Sequence, residues 1–231
     1  MIEVYMLQLD EKKAAALYPT LLNYVSAERR EAVRRFRKSA DAYRSLTGEM
    51  MVRLAACRRW QVRNNELSFS RNEFGKPLLD KPSGCYFNVS HAGDWVVCAF
   101  GDCPVGIDVE RIKLIDISVA EWFCVEEEYD ALMGLPASRQ LTYFYRLWTL
   151  KESYIKAVGK GLSIPLDSFS FAIGEDGEVT AHLGAEAAPA YFRQYVVDES
   201  HVMTLCTFRD AVPTMRQLEY GELEGLLPLL G

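Results

Sequence analysis

Apolar residues recur at helical spacing in two long stretches of the chain. In the first, over about residues 26–60, Leu46, Met50, Leu54 and Cys57 mark one face of its second part. Its start is poorly marked, because Arg29 stands where a capping box after Ser26 would need a carboxylate. The second stretch covers about residues 141–158 and is stopped by Gly159 and Gly161, then Pro165. Shorter runs with strand character lie at 86–90, 95–100 and 105–110. His91-Ala92-Gly93-Asp94 and Gly101-Asp102-Cys103-Pro104 read as the turns between them. A later set of strands fits 169–173, 179–183, 191–197 and 202–208. Helix and strand are mixed in each half, and neighbouring strands are joined by short turns. That pattern predicts α+β architecture with antiparallel sheets, not a doubly wound parallel sheet.

The 231 residues allow one large domain or two halves. Apolar residues at 49% and charged residues at 25% are the balance of a chain that buries a core. No apolar run approaches the roughly 20 residues of a membrane span, and no basic-then-apolar leader opens the sequence. A soluble, cytoplasmic protein without a membrane partner is expected. The net charge of -6 argues against a general nucleic-acid binder. Charge is uneven, however: residues 29–63 hold 11 Lys or Arg against Glu31, Asp41 and Glu49. This is either a solvated helix face or a local anion site. Six scattered cysteines without CxxC spacing, and three histidines, leave no framework for zinc or disulfides.

Chemistry concentrates in Val105-Gly106-Ile107-Asp108-Val109-Glu110. Alternation along a strand sends Ile107 and Val109 to one face and Asp108 and Glu110 to the other. Two carboxylates on one face suit a divalent cation such as Mg2+, or the wet side of an edge strand. In the second helix Trp148, Glu152, Lys156 and Gly159 share a face. Glu152 and Lys156 there form either an exposed ion pair or a third metal ligand beside a phosphate-binding cation. Ser90 and His91 end a strand and could bind an anion; no GxSxG surrounds Ser90, so a hydrolase nucleophile is not indicated. Phe74-Gly75-Lys76-Pro77 is a turn with one cation. Neither a P-loop nor a dinucleotide fingerprint is present. A weak internal echo links Glu49-Met50-Met51-Val52-Arg53 with Glu152-Ser153-Tyr154-Ile155-Lys156.

The order GKP, NVSH, GIDVE and WTLKESYIKAVGKGL resembles the 4'-phosphopantetheinyl transferases of the two-lobed, surfactin-synthetase-activating type. The likeness extends to residues 27–31 and 34–36 early in the chain and to 165–170 later. It implies two similar α+β lobes in one chain, here drawn as 1–105 and 106–231, with the active site between them. It makes the internal echo a trace of duplication. It implies that Asp108, Glu110 and Glu152 hold Mg2+, with Asp108 also serving the coenzyme. Lys156 and His91 would meet the phosphates of coenzyme A, with Arg29, Arg44, Gly75, Lys76, Pro77 and Ser90 fixing its nucleotide end. Related members carry a Lys three residues after the position of Arg29, near the 3'-phosphate, where this chain has Ala32. A higher KM for coenzyme A, not lost chemistry, is expected from that loss unless Arg35 or Arg29 compensates.

The implied reaction moves phosphopantetheine from coenzyme A to a serine of an apo acyl or peptidyl carrier protein, releasing adenosine 3',5'-bisphosphate. Glu152 is the expected general base, directly or through water, and Lys156 the residue that stabilises the leaving phosphate. Residues 122–129 are a candidate carrier contact, although their aromatics suit a core equally well. A monomer suffices, since one chain contains both lobes. Two other readings use the same residues: a Mg-dependent phosphohydrolase acting on coenzyme A, and a carrier-binding module without turnover.

Overall fold

The computed structural model describes residues 1–185 and 187–230. It opens with β1 (Ile2–Gln8), α1 (Glu11–Leu21), α2 (Ala27–Arg34) and α3 (Ser39–Trp60). Then come β2 (Ser68–Arg71), β3 (Pro77–Lys81), β4 (Tyr86–Ala92), β5 (Trp95–Gly101) and β6 (Val105–Arg111). Next are α4 (Glu126–Met133), α5 (Ala137–Val158), β7 (Ser170–Ile173) and β8 (Val179–His182). The chain finishes with β9 (Tyr191–Asp198), β10 (His201–Thr207), β11 (Thr214–Leu218) and α6 (Tyr220–Leu226). Among the described residues no helix is long and apolar enough to cross a membrane.

The single helix expected over 26–60 is two helices. Ser26 caps α2 by accepting the Arg29 N–H on its hydroxyl, without a capping-box carboxylate. The helix then tightens: the Arg35 and Phe36 N–H groups turn to the carbonyls of Ala32 and Val33, three residues back. Lys38 is extended and opens α3. Five of the seven residues from Arg34 to Ala40 are neither apolar nor on a core face, so nothing holds the helix continuous there. The second long helix starts earlier than its periodicity suggested, at Ala137 after Pro136. His91 and Ala92 belong to β4, leaving Gly93 and Asp94 as the turn.

The chain divides into two compact units, Pro104–Asp210 and a unit formed by Met1–Cys103 with the segment from Ala211 on. A single cut near residue 105 would assign that last segment to the wrong partner. The cause is β11, which lies parallel to β1 with Glu3 opposite Thr214 and Tyr5 opposite Arg216. The sheet of this first unit has the order β11-β1-β5-β4. β5 is central and buried along its whole length. α3 packs on this sheet through Leu46, Met50, Leu54 and Cys57, all buried. At Gly48 a Cβ would sit 2.6 Å from a Val89 methyl, so helix and β4 meet there without room for a side chain.

The second unit repeats the plan with an antiparallel sheet β6-β10-β9. Its main helix, α5, has 22 residues, as α3 has. Two similar α+β lobes are therefore present. α5 is tied to α4 by a fully buried ion pair, Lys151 to Glu128 at 2.8 Å. The Lys151 ammonium also donates to the carbonyls of Leu166 and Phe169, each at 2.8 Å. Glu128 in turn accepts the N–H groups of Val125 at 3.0 Å and Phe171 at 2.8 Å. Every polar position of the pair is thus used, which is the condition for burying charge at tolerable cost.

Lys151→Met leaves Glu128 as an isolated buried charge, and a loss of about 3–5 kcal/mol in unfolding free energy is expected by urea titration. Adding Glu128→Gln should recover part of it. A single-variant loss below about 1 kcal/mol, the range of an exposed pair, would contradict this reading.

Candidate active site

Gly106, Asp108 and Glu110 share the face of β6 that meets α5. A Cβ on Gly106 would collide with the Ser153 carbonyl oxygen and the Ala157 nitrogen, so strand and helix touch backbone to backbone. One residue pair further along β6, this close approach brings carboxylates against helical side chains. Lys156 Nζ donates to Asp108 Oδ1 at 2.6 Å. Trp148 Nε1 donates to Glu110 Oε1 at 3.3 Å. Trp148, Glu152 and Lys156 follow one another at four-residue intervals, so all three address the same strand. Asp108 is 2% exposed, which excludes the wet side of an edge strand. β6 does lie at the edge of its sheet, but α5 covers the face that carries the carboxylates.

The electrostatics follow from this packing. Burial pushes the Glu110 carboxyl up to about 7; the Asp108 and Glu152 charges add to the rise, against the Trp148 N–H and the Lys156 ammonium. Glu152 is raised as well, first by burial and then by Asp108, with Lys156 opposing. Three carboxylates and one ammonium thus lie along the partly buried seam of β6 and α5, which is short of positive charge. The donor set consists of hard carboxylate oxygens, the kind that suits Mg2+. Among the described residues no three His, Cys, Asp or Glu side chains are gathered tightly enough to ligate one ion as they stand. The chemistry of the donors fits the cation; their present spacing does not yet enclose it.

In the first unit, Arg44 donates to the Gly93 carbonyl at 2.9 Å and pairs with Asp41 one turn away on α3. The Arg44 bond holds the Asp41 carboxyl below its ordinary range, and Lys38 and His91 act in the same direction. Arg44, Lys38 and His91 therefore gather around one carboxylate; in the sequence Lys38 and Asp41 were legible only as part of the charged stretch 29–63, not as site residues. Their signal was local: Asp41 and Arg44 are three apart at the start of a helix. Ser90 is buried while His91 is exposed, so the strand sends these neighbours to opposite faces.

The Gly75-Lys76-Pro77 turn stands on the separate β2–β3 hairpin. Asn72 shapes it by accepting the N–H groups of Phe74 and Lys76 on its side chain, at 3.0 and 2.8 Å. Gly75 has φ +85°, a conformation that favours glycine. Arg29 is already engaged: its guanidinium pairs with Glu49 and donates to the Ser45 hydroxyl at 2.7 Å. Glu49 also receives Arg53 at 2.8 Å, and Arg53 continues to Asn64. Arg29 thus fastens α2 to α3. The internal echo keeps its spacing but not its partners. Glu49 and Arg53 pair within α3, whereas Lys156 reaches from α5 to Asp108 on β6.

Comparison with known proteins covers both units of the chain. Residues 104–206 match the model of the 4'-phosphopantetheinyl transferase superfamily. Residues 12–102 match that of the 4'-phosphopantetheinyl transferase N-terminal region. The chain is 37% identical over 223 residues to the 4'-phosphopantetheinyl transferase Sfp of Bacillus subtilis, covering 96% of this chain and 100% of that one. With the 4'-phosphopantetheinyl transferase psf-1 of Bacillus pumilus identity is 41% over 203 residues, 88% of this chain and 87% of the other. The human L-aminoadipate-semialdehyde dehydrogenase-phosphopantetheinyl transferase is 28% identical over 229 residues, 84% of this chain and 74% of its own length. Matched through both units and over nearly its whole length, the chain belongs to the 4'-phosphopantetheinyl transferases of the Sfp type.

Proposed function

We propose that this chain transfers 4'-phosphopantetheine from coenzyme A to a serine hydroxyl of an apo acyl or peptidyl carrier protein, releasing adenosine 3',5'-bisphosphate. The observation that carries the proposal is the cluster of Asp108, Glu110, Glu152 and Lys156, set by the close contact of β6 with α5. Asp108, Glu110 and Glu152 are the residues that would hold Mg2+. When bound, the cation supplies Lewis-acid stabilisation of charge on the diphosphate oxygens.

The remaining chemistry falls to the side chains. The carrier serine oxygen attacks phosphorus, and the bond from that phosphorus to the bridging oxygen of the nucleotide breaks. The serine proton goes to the Glu152 carboxylate, directly or through a water, and the raised proton affinity of Glu152 suits that role. The electron pair of the broken bond leaves on the bisphosphate, where Lys156 neutralises the charge. Asp108 keeps the Lys156 ammonium oriented beforehand, at 2.6 Å. His91, with Lys156, is assigned to the phosphates of the coenzyme, and Arg44, Ser90 and Lys76 with the Gly75 and Pro77 turn to its nucleotide end. Arg29 can join them only by exchanging its contacts with Glu49 and Ser45.

For the carrier, the candidate segment 122–129 separates into two roles. Phe123 is buried edge-on against Phe144 and Trp148. Trp122 is 88% exposed, and Leu114 and Ile115 are exposed a few residues before it. Trp122 is accordingly proposed as the carrier contact. The cytoplasm is proposed as the compartment of the reaction, and a monomer as the working form.

Incubated with an apo carrier protein, coenzyme A and Mg2+, the protein should add about 340 Da to the carrier serine by intact-mass spectrometry, and EDTA should abolish the gain. Coenzyme A breakdown without any carrier gain would make it a hydrolase instead; no change in either would leave a binding module. Glu152→Gln and Lys156→Ala should each lower kcat by about 10²–10⁴ fold, and a wild-type kcat in either would remove that residue from the mechanism. Ala32→Lys should lower KM for coenzyme A without raising kcat, and leave KM for 3'-dephospho-coenzyme A unchanged. Equal effects on the two coenzymes would show that position 32 does not sense the 3'-phosphate.

A further inference from the structure

The register of β1 with β11 builds a second feature within the first unit. Glu3 stands opposite Thr214 and Tyr5 opposite Arg216, so four side chains project side by side from the same face. The last turn of α3 lowers Arg58 and Arg59 onto them. Together these residues line a cavity of about 310 Å³. Two basic residues at a helix C-terminus are ordinary on their own, since they complement the helix dipole. A third arginine arriving from β11 on the same cavity is not accounted for in that way.

The acidic groups at this place are already engaged. The Tyr5 hydroxyl donates to Glu3 Oε2 at 2.6 Å, and Arg59 donates to Glu3 Oε1 at 3.3 Å. Arg216 pairs with Glu222 on α6. Arg58 is exposed and forms no ion pair with any described residue. Burial and the bond to Glu3 raise the Tyr5 hydroxyl far above the usual phenol range, while Arg58 and Arg216 are near enough to pull it down. In a chain of net charge -6, this cavity is lined by three guanidinium groups and one carboxylate, with Arg59 paired to Glu3 and Arg216 to Glu222.

We propose that this cavity is an anion site distinct from the transferase centre, and that it takes a small phosphate-bearing molecule. Guanidinium forks match the paired oxygens of a phosphate, and the Thr214 hydroxyl offers a further donor. The volume exceeds that of a bare phosphate and lies at the lower end of ordinary ligand pockets, so a compact phosphorylated metabolite fits. Arg58 is the residue that such a ligand would complete. Arg59 and Arg216, held by Glu3 and Glu222, give the site its shape before the ligand arrives.

The test uses the full-length protein and inorganic pyrophosphate as the probe, by isothermal titration calorimetry with coenzyme A present at saturation so that the transferase centre is filled. Binding with Kd below about 1 mM is expected, weakened at least about tenfold in Arg58→Ala and abolished in Arg58→Glu. Arg58→Lys should retain part of the affinity. All three variants should keep the thermal midpoint and the KM for coenzyme A of the wild type, since Arg58 is exposed and is not among the residues assigned to the coenzyme. Absence of pyrophosphate binding to the coenzyme-saturated protein overturns the proposal. So does binding that Arg58→Glu leaves unchanged, which would place the probe elsewhere.

Discussion

The chemistry of this protein depends on a missing side chain. Gly106 lets β6 and α5 meet at backbone distance, and any Cβ there would strike Ser153 and Ala157. Everything functional in the second unit is measured from that contact. Two residues along the strand, Asp108 comes within 2.6 Å of Lys156, and two further, Glu110 takes the Trp148 indole N–H. Had the helix been pushed out by the width of a methyl group, the lysine and the carboxylates would face water separately. Close approach, burial and raised proton affinity are one phenomenon described at three scales.

The helix is held in that position from its other side. Lys151 is adjacent in sequence to Glu152 but points away from it, into the buried pair with Glu128 and the carbonyls of Leu166 and Phe169. A second set of bonds works nearby: Thr149 meets Thr204 of β10 at 2.8 Å, and Gln194 of β9 bonds Arg146 at 2.8 Å. α5 is thereby fixed in rotation as well as in distance. A helix able to turn by a fraction of a residue would move Glu152 and Lys156 off the strand together. The polar anchors specify an orientation that apolar packing by itself leaves loosely defined.

How much of this was legible in the sequence depends on the range of the interaction concerned. Asp108 with Glu110, and Glu152 with Lys156, were readable because the two-residue and four-residue periods are local properties of strand and helix. That Lys156 would reach Asp108, 48 residues away, was not, since no spacing within either element contains it. Arg29 illustrates the opposite failure. Its charge was plain, but its partner Glu49 sits 20 residues on in a different helix, and a cation whose counter-ion is distant looks available. The break between α2 and α3 was hidden because the charged residues from Arg34 to Lys38 are compatible with helix, yet all of them are exposed and none packs on a core. The pairing of β11 with β1 had no local signature at all.

That pairing has a bearing on synthesis. Pro104–Asp210 is one continuous segment, complete once Asp210 has left the ribosome, whereas the sheet around β1 lacks its outer strand until Thr214–Leu218 emerges. Until then, β1 presents an unpaired edge, with its backbone N–H and carbonyl groups open to other strands. The middle of the chain can therefore finish folding while its beginning is still waiting for its end. Loss of the last strand would injure the part of the protein made first.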